Sequence, residues 1–357
     1  MARRQKKTLR IGFIGAGGIA DLQLRLLARR QDVSVVALAD VNPDTLERQR
    51  QAWPDAATYT DYVKMLRSEK LDAVSVCTPN ILHMQPTIDA LKAGHHVLCE
   101  KPLAMTVAES KRMIKAATTA RKKLIIGFQY RYDPRTQYLR QAMDEGQFGR
   151  ILYGRVQAMR RRGIPNWGVF GQKALQGGGP LIDIGVHVLE MAHYTMGAPK
   201  PVSASADMFT YIGNRASNIE SVWPNWDHES YDVEDLAVGR IRFDTGAVIH
   251  IESAFAAHIP QRSLMNFQLM GDRGGATWEP TLIFTDEAGH MVDKKPGWLA
   301  DTAFEPVFER KMNGFVNHVL YNEPTIAPAA AGLQIQAMLN ALYTSAKRGG
   351  REVAIRY

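Results

Sequence analysis

The chain has 357 residues, 45% of them hydrophobic and 22% charged, with a formal net charge of +8. That length predicts two domains and a core that needs no disulfide or metal staple, and the near-average composition excludes collagen-like, coiled-coil and disordered classes. No apolar run approaches the roughly 20 residues that cross a bilayer, so no membrane partner is expected.

The chain opens with Arg3, Arg4, Lys6 and Lys7, and a second basic cluster is Arg160, Arg161 and Arg162. No nucleic-acid motif accompanies them, so they read as a solvated tail and surface charge, with no nucleic-acid partner. The apolar run 11–20 is broken by glycines and stops at Asp21, which argues against a signal peptide. The first predicted strand, 9–15, ends in Gly15-Ala16-Gly17-Gly18-Ile19-Ala20, and a helix over 18–30 follows. At a strand–helix junction this pattern suits a dinucleotide: Gly15 permits the tight turn, Gly17 lets backbone approach a pyrophosphate, and the helix N-terminus offers N–H groups. Gly18 and Ile19 belong to the same cofactor cradle.

The second strand, 33–39, is followed by Asp40. A carboxylate there accepts from ribose hydroxyls and repels a 2′-phosphate, so NAD is expected over NADP; the alternative is a cap for the next helix, 43–53. After a helix over 62–68, strand 73–77 ends in Cys77-Thr78-Pro79-Asn80, with His83 beyond. Thr78, Pro79, Asn80 and His83 lie at the carboxyl edge where ligands of open α/β sheets bind; Thr78 and Asn80 are equally able to cap helix 85–93. Strand 96–99 ends in Glu100-Lys101-Pro102 on the same edge, where Lys101 can stabilise developing alkoxide charge. Cys77 and Cys99, at strand ends, fit no zinc spacing and are expected as buried reduced thiols in a cytoplasmic protein. Helix 107–119 and strand 124–128 complete an alternation that predicts a parallel sheet covered on both faces.

Beyond 128 the pattern changes to longer strands joined by turns. Segments 235–243 and 247–256 flank Asp244-Thr245-Gly246 as a hairpin, and strands 264–270 and 277–284 flank Gly271-Asp272-Arg273-Gly274-Gly275. The fold expected is α/β: a Rossmann domain over 1–128, then an α/β domain over 129–357 with a large open, mostly antiparallel sheet whose free face is a possible oligomer interface. In 177–187, Pro180 suits an early helix position, which sets Asp183 and His187 at i and i+4, the carboxylate–imidazole pairing a general base needs. A satisfied core pair and a metal site with Glu190 are competing readings; no metal is expected. The long polar stretch 213–232 carries Trp223 and Trp226 and reads as a functional or surface loop.

Taken together, the ordered set Leu9–Gly17, Glu100-Lys101-Pro102, Gly127-Phe128, 177–187, Val233-Glu234-Asp235-Leu236-Ala237 and Leu269-Met270-Gly271 resembles the Gfo/Idh/MocA oxidoreductase family, over nearly the whole chain. The resemblance implies catalytic roles for Lys101, Asp183 and His187, with His187 taking a hydroxyl proton, Asp183 assisting, and Lys101 binding that hydroxyl and orienting the nicotinamide. Glu100 joins the cofactor set, and the Lys101–Pro102 peptide is implied to be cis. Relatives often carry consecutive basic residues where this chain has Gln129-Tyr130-Arg131-Tyr132, so a neutral sugar or polyol is expected rather than an anionic one. Gln129, Tyr130, Arg131, Asn166 and Trp167 are the candidate substrate contacts beside the catalytic trio, with Trp167 either stacking on a sugar ring or packing the domain junction. The expected activity is NAD-dependent oxidation of a secondary ring hydroxyl, or the reverse, by a homodimer or homotetramer. A non-catalytic dinucleotide-binding regulator and a glycosidase that recycles bound NAD are the alternatives.

Overall fold

The computed structural model describes residues 8–357, so the basic cluster at Arg3–Lys7 falls outside it. The chain forms two compact units. One holds the chain through Gln129 together with Ala303–Leu333; the other holds Tyr130–Thr302 and Gln334–Tyr357. The expected division at 128 and 129 did not include the return of 303–333 to the first unit.

In the first unit, β1 (Leu9–Ile14), α1 (Gly18–Leu27), β2 (Val33–Ala39), α2 (Pro43–Ala52), β3 (Ala57–Tyr59), α3 (Tyr62–Ser68), β4 (Ala73–Val76), α4 (Met84–Lys92), β5 (His96–Cys99), α5 (Val107–Ala120) and β6 (Leu124–Ile126) follow one another. All six strands are parallel, in the order β3-β2-β1-β4-β5-β6. That order reverses direction between β1 and β4, the switch point outside which ligands of such sheets bind. The strands bury Ile11, Phe13, Val74, Val76, Val97 and Leu98 fully, as a sheet covered on both faces requires. The strand β3 was not expected; with three residues it has no apolar run to announce it.

Helix caps follow local chemistry. Asn42, not Asp40, caps α2 by accepting from the Asp44 N–H at 2.9 Å. Thr106 and Glu109 form a capping box on α5. Cys77 and Cys99 are buried and free, and burial pushes the Cys77 thiol up to about 12, so neither is a ready nucleophile. The segment Phe304–Tyr321, a long helix numbered α9 below, returns to α1: Arg29 pairs with Glu305 and, at 2.9 Å, with Glu309, while Arg30 donates to Asn313 at 2.9 Å. Ile125 then bridges Pro328, continuing the sheet past β6.

The second unit contains α6 (Pro134–Asp144), β7 (Ile151–Arg160), α7 (Lys173–Gln176), a π-helical turn at Leu181–Gly185 that runs into α8 (Val186–Thr195), and β8 (Pro201–Phe209). After these come β9 (Leu236–Phe243), β10 (Val248–Ala254), β11 (Ser263–Gly271), β12 (Gly274–Thr277), β13 (Leu282–Glu287) and β14 (His290–Lys294). The helix α9 lies in the first unit, α10 (Ala329–Ala346) crosses into the second, and β15 (Val353–Ala354) ends the chain. The sheet has nine strands, β14-β13-β12-β11-β7-β10-β9-β8-β15, antiparallel except for β7 with β10. The expected hairpin is β9 and β10. The single strand expected over 277–284 is instead cut into β12 and β13, which pair with each other. Pro280 is the reason: it has no N–H to give a ladder and turns the chain back. Helices α6 and α8 pack together, with α8 against β7 and β11. The opposite sheet face is polar: Arg155 and Gln157 donate to Glu252 at 3.2 and 2.8 Å. Among the described residues no helix is long and apolar enough to cross a membrane.

Candidate functional site

The first unit carries the glycine turn, Asp40, the segment after β4 and Lys101. Gly15 leaves β1 with φ +86°, and a Cβ there would lie 2.6 Å from the Cys77 carbonyl oxygen, so the turn after β1 runs tight against the end of β4. Only glycine meets both demands. Beyond it, Gly17 and Gly18 face open space on their Cβ sides, and the N-terminus of α1 has no side-chain cap. Ala20 is fully buried, which lets α1 approach the sheet. These features fit a dinucleotide pyrophosphate, and so does the buried Thr78 hydroxyl, whose oxygen has no hydrogen-bond partner among the described residues. Asp40 accepts from the Ala16 N–H at 2.8 Å and the Asn42 N–H at 2.9 Å, so the same carboxylate braces the glycine turn and keeps further lone pairs for other donors.

Neither Thr78 nor Asn80 caps a helix. A 3-10 turn over Asn80–Leu82 intervenes, and the following α4 starts at Met84 with His83 at its N-cap and no side-chain cap. His83 departs from its expected cofactor contact. Its ring nitrogens face the Pro102 and Thr78 carbonyl oxygens at 2.6 and 2.9 Å, so the imidazole ties the segment after β5 to the end of β4. Burial lowers its pKa, whereas two facing carbonyls favour the protonated ring. The desolvation dominates, because His83 is only 1% exposed, and it outweighs the nearby Glu100 carboxylate as well as the two carbonyls. Lys101 follows directly on the buried Glu100, and the Lys101–Pro102 peptide is cis.

Glu100 is held by Lys311 of α9 and by Gln23 of α1, each donating to Oε1 at 2.6 Å. Ser75 extends the chain by donating to Gln23 at 2.6 Å. A Cβ on Gly127 would lie 2.7 Å from the Glu100 carboxylate, so the end of β6 closes over it. Glu100 is thus a buried support under Lys101.

The second unit carries Asp183 and His187. Asp183 sits in the π-helical turn and His187 at the start of α8, both buried. The regular helix expected across both is therefore interrupted at Asp183, as π-turns often are at functional sites. Glu234 fixes the approach to this turn: its carboxylate accepts from the Gly179 N–H at 2.9 Å, the Leu181 N–H at 3.3 Å and the Tyr343 hydroxyl at 2.8 Å. Side chains at Gly178 and Gly179 would strike Tyr343 and the Glu234 backbone, so the glycine run threads between them. Ser253 donates to the Pro180 carbonyl at 2.8 Å and pins the turn to β10. Burial raises the Glu234 pKa, while the hydrogen bonds it accepts oppose that rise.

Tyr130 meets His187 edge to face, with centroids 5.3 Å apart, and burial together with Asp133 raises its phenol pKa. Arg160, expected as surface charge, is half-buried beside it. Its guanidinium lies 5.0 Å from the Trp223 ring, desolvation lowers its pKa, and the charge of Asp183 opposes that. Arg131 corrects another expectation. It is 3% exposed, donates to Glu190 at 2.8 Å and stacks over Tyr194, so it is held in the core rather than presented to a substrate. Burial pushes Glu190 up to about 7 against the pull of Arg131, and this pairing commits Glu190 to the core instead of a metal.

Gln129 is buried at the start of the turn Gln129–Tyr132. Asn166 donates to the Pro224 carbonyl at 2.7 Å and so holds the 213–232 loop. Trp167 is half-exposed and packs against Trp223 and Phe170 within the second unit. The supports that sequence reasoning missed are Lys311, Tyr343 and the clamp role of Glu234. Only Glu234 left a signal, as part of the Val233–Ala237 segment that carries the family resemblance.

Residues 9–128 match the model of an oxidoreductase family with an NAD-binding Rossmann fold, and residues 136–277 match the GFO/IDH/MocA C-terminal domain. The chain is 39% identical over 344 residues to D-glucoside 3-dehydrogenase of Escherichia coli (strain K12), covering 96% of this chain and 97% of that protein. It is 26% identical to myo-inositol 2-dehydrogenase of Thermotoga maritima, covering 91% of each. The solved structure of levoglucosan dehydrogenase in complex with NADH superposes with a TM-score of 0.84 at 23% identity, over 98% of this chain and 100% of that one.

Proposed function

Because the chain belongs to the Gfo/Idh/MocA oxidoreductase family and is an NAD-dependent oxidoreductase acting on CH–OH groups, we propose that it oxidises a secondary ring hydroxyl of a cyclic sugar, glycoside or inositol. NAD, when bound, accepts the hydride that the carbinol carbon loses. Gly15, Gly17 and Gly18 hold the pyrophosphate, and Asp40 holds the adenosine ribose. Lys101 donates a hydrogen bond to the substrate hydroxyl and stabilises its developing negative charge. His187 takes the hydroxyl proton, and Asp183 favours the imidazolium that results.

One observation carries this reading: Asp183 and His187 are buried together at a single helix entrance that Glu234, Tyr343 and Ser253 lock in place. A folded chain accepts the desolvation of both groups where they act on a substrate proton. The half-exposed aromatic surface nearby and the pairing of Arg131 with Glu190 favour a neutral substrate. The test is NAD reduction at 340 nm over glucosides, aldoses, anhydrosugars and inositols. A pyranoside or cyclitol that reduces NAD is the expected result. Tight NADH binding with no turnover across the panel defeats the proposal in favour of a regulatory role.

We also infer that NAD is used in preference to NADP, that copies associate through the polar face of the nine-stranded sheet, and that the protein works in a reducing cytoplasm, a reading its buried free cysteines support. Asp40→Ser is expected to raise the NADP-to-NAD ratio of kcat/KM by about tenfold, since a carboxylate repels a 2′-phosphate. The ratio is the proper readout because Asp40 also braces the Ala16 turn, so its loss weakens both cofactors. An unchanged ratio sinks the charge argument.

A further inference from the structure

We propose that Trp167, Trp223 and Phe170 form a subsite for the second pyranose ring of a glycoside, so that the substrate is a disaccharide oxidised on its non-reducing ring. The proposal rests on the function proposed above and deepens it.

The argument begins with a continuous line of side chains in the second unit. His187 touches Tyr130, with centroids at 5.3 Å. Ile184, next to Asp183 in the π-helical turn, packs on the cluster that holds Phe255, and the Arg160 guanidinium stands 5.6 Å from the Phe255 ring and 5.0 Å from the Trp223 ring. Trp223 meets Trp167 at 4.7 Å with the rings at 82°, and Trp167 meets Phe170 at 5.9 Å with the rings at 72°. The aromatic surface therefore starts beside the proton-handling pair and leads away from it.

Two properties make this surface a platform rather than core. Trp167 is 50% exposed, whereas the neighbouring Trp226 is 7% exposed and donates its indole N–H to the Gly213 carbonyl at 2.8 Å. Trp226 packs with Ile164, Tyr231 and Phe255 and anchors the loop; Trp167 leaves half its surface uncovered. The platform is also built before any ligand arrives. Asn166 bonds the Pro224 carbonyl at 2.7 Å, one residue from Trp223, and Asp235 accepts from Ile212 and Gly213 at 2.5 and 2.9 Å at the loop's start. Fixed aromatic rings bind at little conformational cost.

The chemistry selects the occupant. A pyranose ring has apolar C–H faces that lie on an indole, and hydroxyl edges that stay in water at a half-exposed site. An uncharged ring suits this surface, beside which Arg160 already donates to the Gly163 carbonyl at 3.0 Å.

The test compares two pairs, maltose with methyl α-glucoside and cellobiose with methyl β-glucoside. Binding is measured by calorimetry with the NADH-loaded enzyme, and kcat/KM is measured with NAD. In at least one pair the disaccharide is expected to bind about tenfold more tightly than its methyl glycoside, the scale of one good ring contact. In Trp223→Ala and Trp167→Ala that ratio falls to near one, and the loss appears in KM. Equal affinities within both pairs, or variants that weaken disaccharide and methyl glycoside in parallel, overturn the subsite whether or not any sugar is oxidised. A disaccharide preference in binding without turnover leaves the subsite standing and defeats the proposed oxidation instead.

Discussion

Lys101→Met and His187→Ala each lower kcat by about 10²–10⁴-fold, the worth of a positioned general acid–base group. Methionine keeps the length and apolar stem of Lys101 and removes the charge and the N–H donors, so the loss reads alkoxide stabilisation rather than packing. Alanine at position 187 removes the proton acceptor while Asp183 stays on its turn, held by the Glu234 and Ser253 contacts below it. Two further measurements separate chemistry from folding. NADH affinity persists in His187→Ala, because the glycine cradle belongs to the other unit. The double variant loses far less than the product of the single losses, since both groups are proposed to act on one hydroxyl. Turnover near that of the parent enzyme in both single variants removes the proposed mechanism.

The sequence carried the first unit's architecture well because each β–α step is local. Val33–Ala39 is apolar but for Ser34, and Gly15-Ala16-Gly17 stands where a strand must turn into a helix. Lys101 could be singled out on the same basis: it sits one step past a strand, on the edge where open sheets bind ligands. Partnerships between distant residues were not legible. Arg131 was expected at the substrate because it follows the Gly127-Phe128 junction, but its fate is set by Glu190, 59 residues on. Arg160 lies in a run of three arginines and reads as surface until Trp223 is brought over it. Tyr343 has no motif around it; only tertiary packing delivers its hydroxyl to Glu234, 109 residues away. The π-turn under Asp183 is similarly invisible, since it changes the hydrogen-bond step without changing residue type.

The same logic makes Lys311 the most informative residue for stability. It comes from the segment that returns to the first unit, 211 residues from its partner Glu100, and its side chain is only 1% exposed. Lys311→Met is expected to destabilise that unit by about 3–5 kcal/mol, read as a lower denaturation midpoint, because it strands a carboxylate inside. The cost arises from the charge left behind rather than from the attraction lost. Glu100→Gln combined with Lys311→Met should therefore recover much of the stability, since a neutral amide still accepts from Gln23 and nothing charged is left buried. The rescue should not extend fully to turnover: Glu100 directly precedes Lys101 and lies under Gly127, so altering it shifts the support of the amine itself. A Lys311→Met protein as stable as its parent would show that Glu100 is satisfied without the lysine. In that case Gln23 and Ser75, not the returning helix, hold the end of β5 in place.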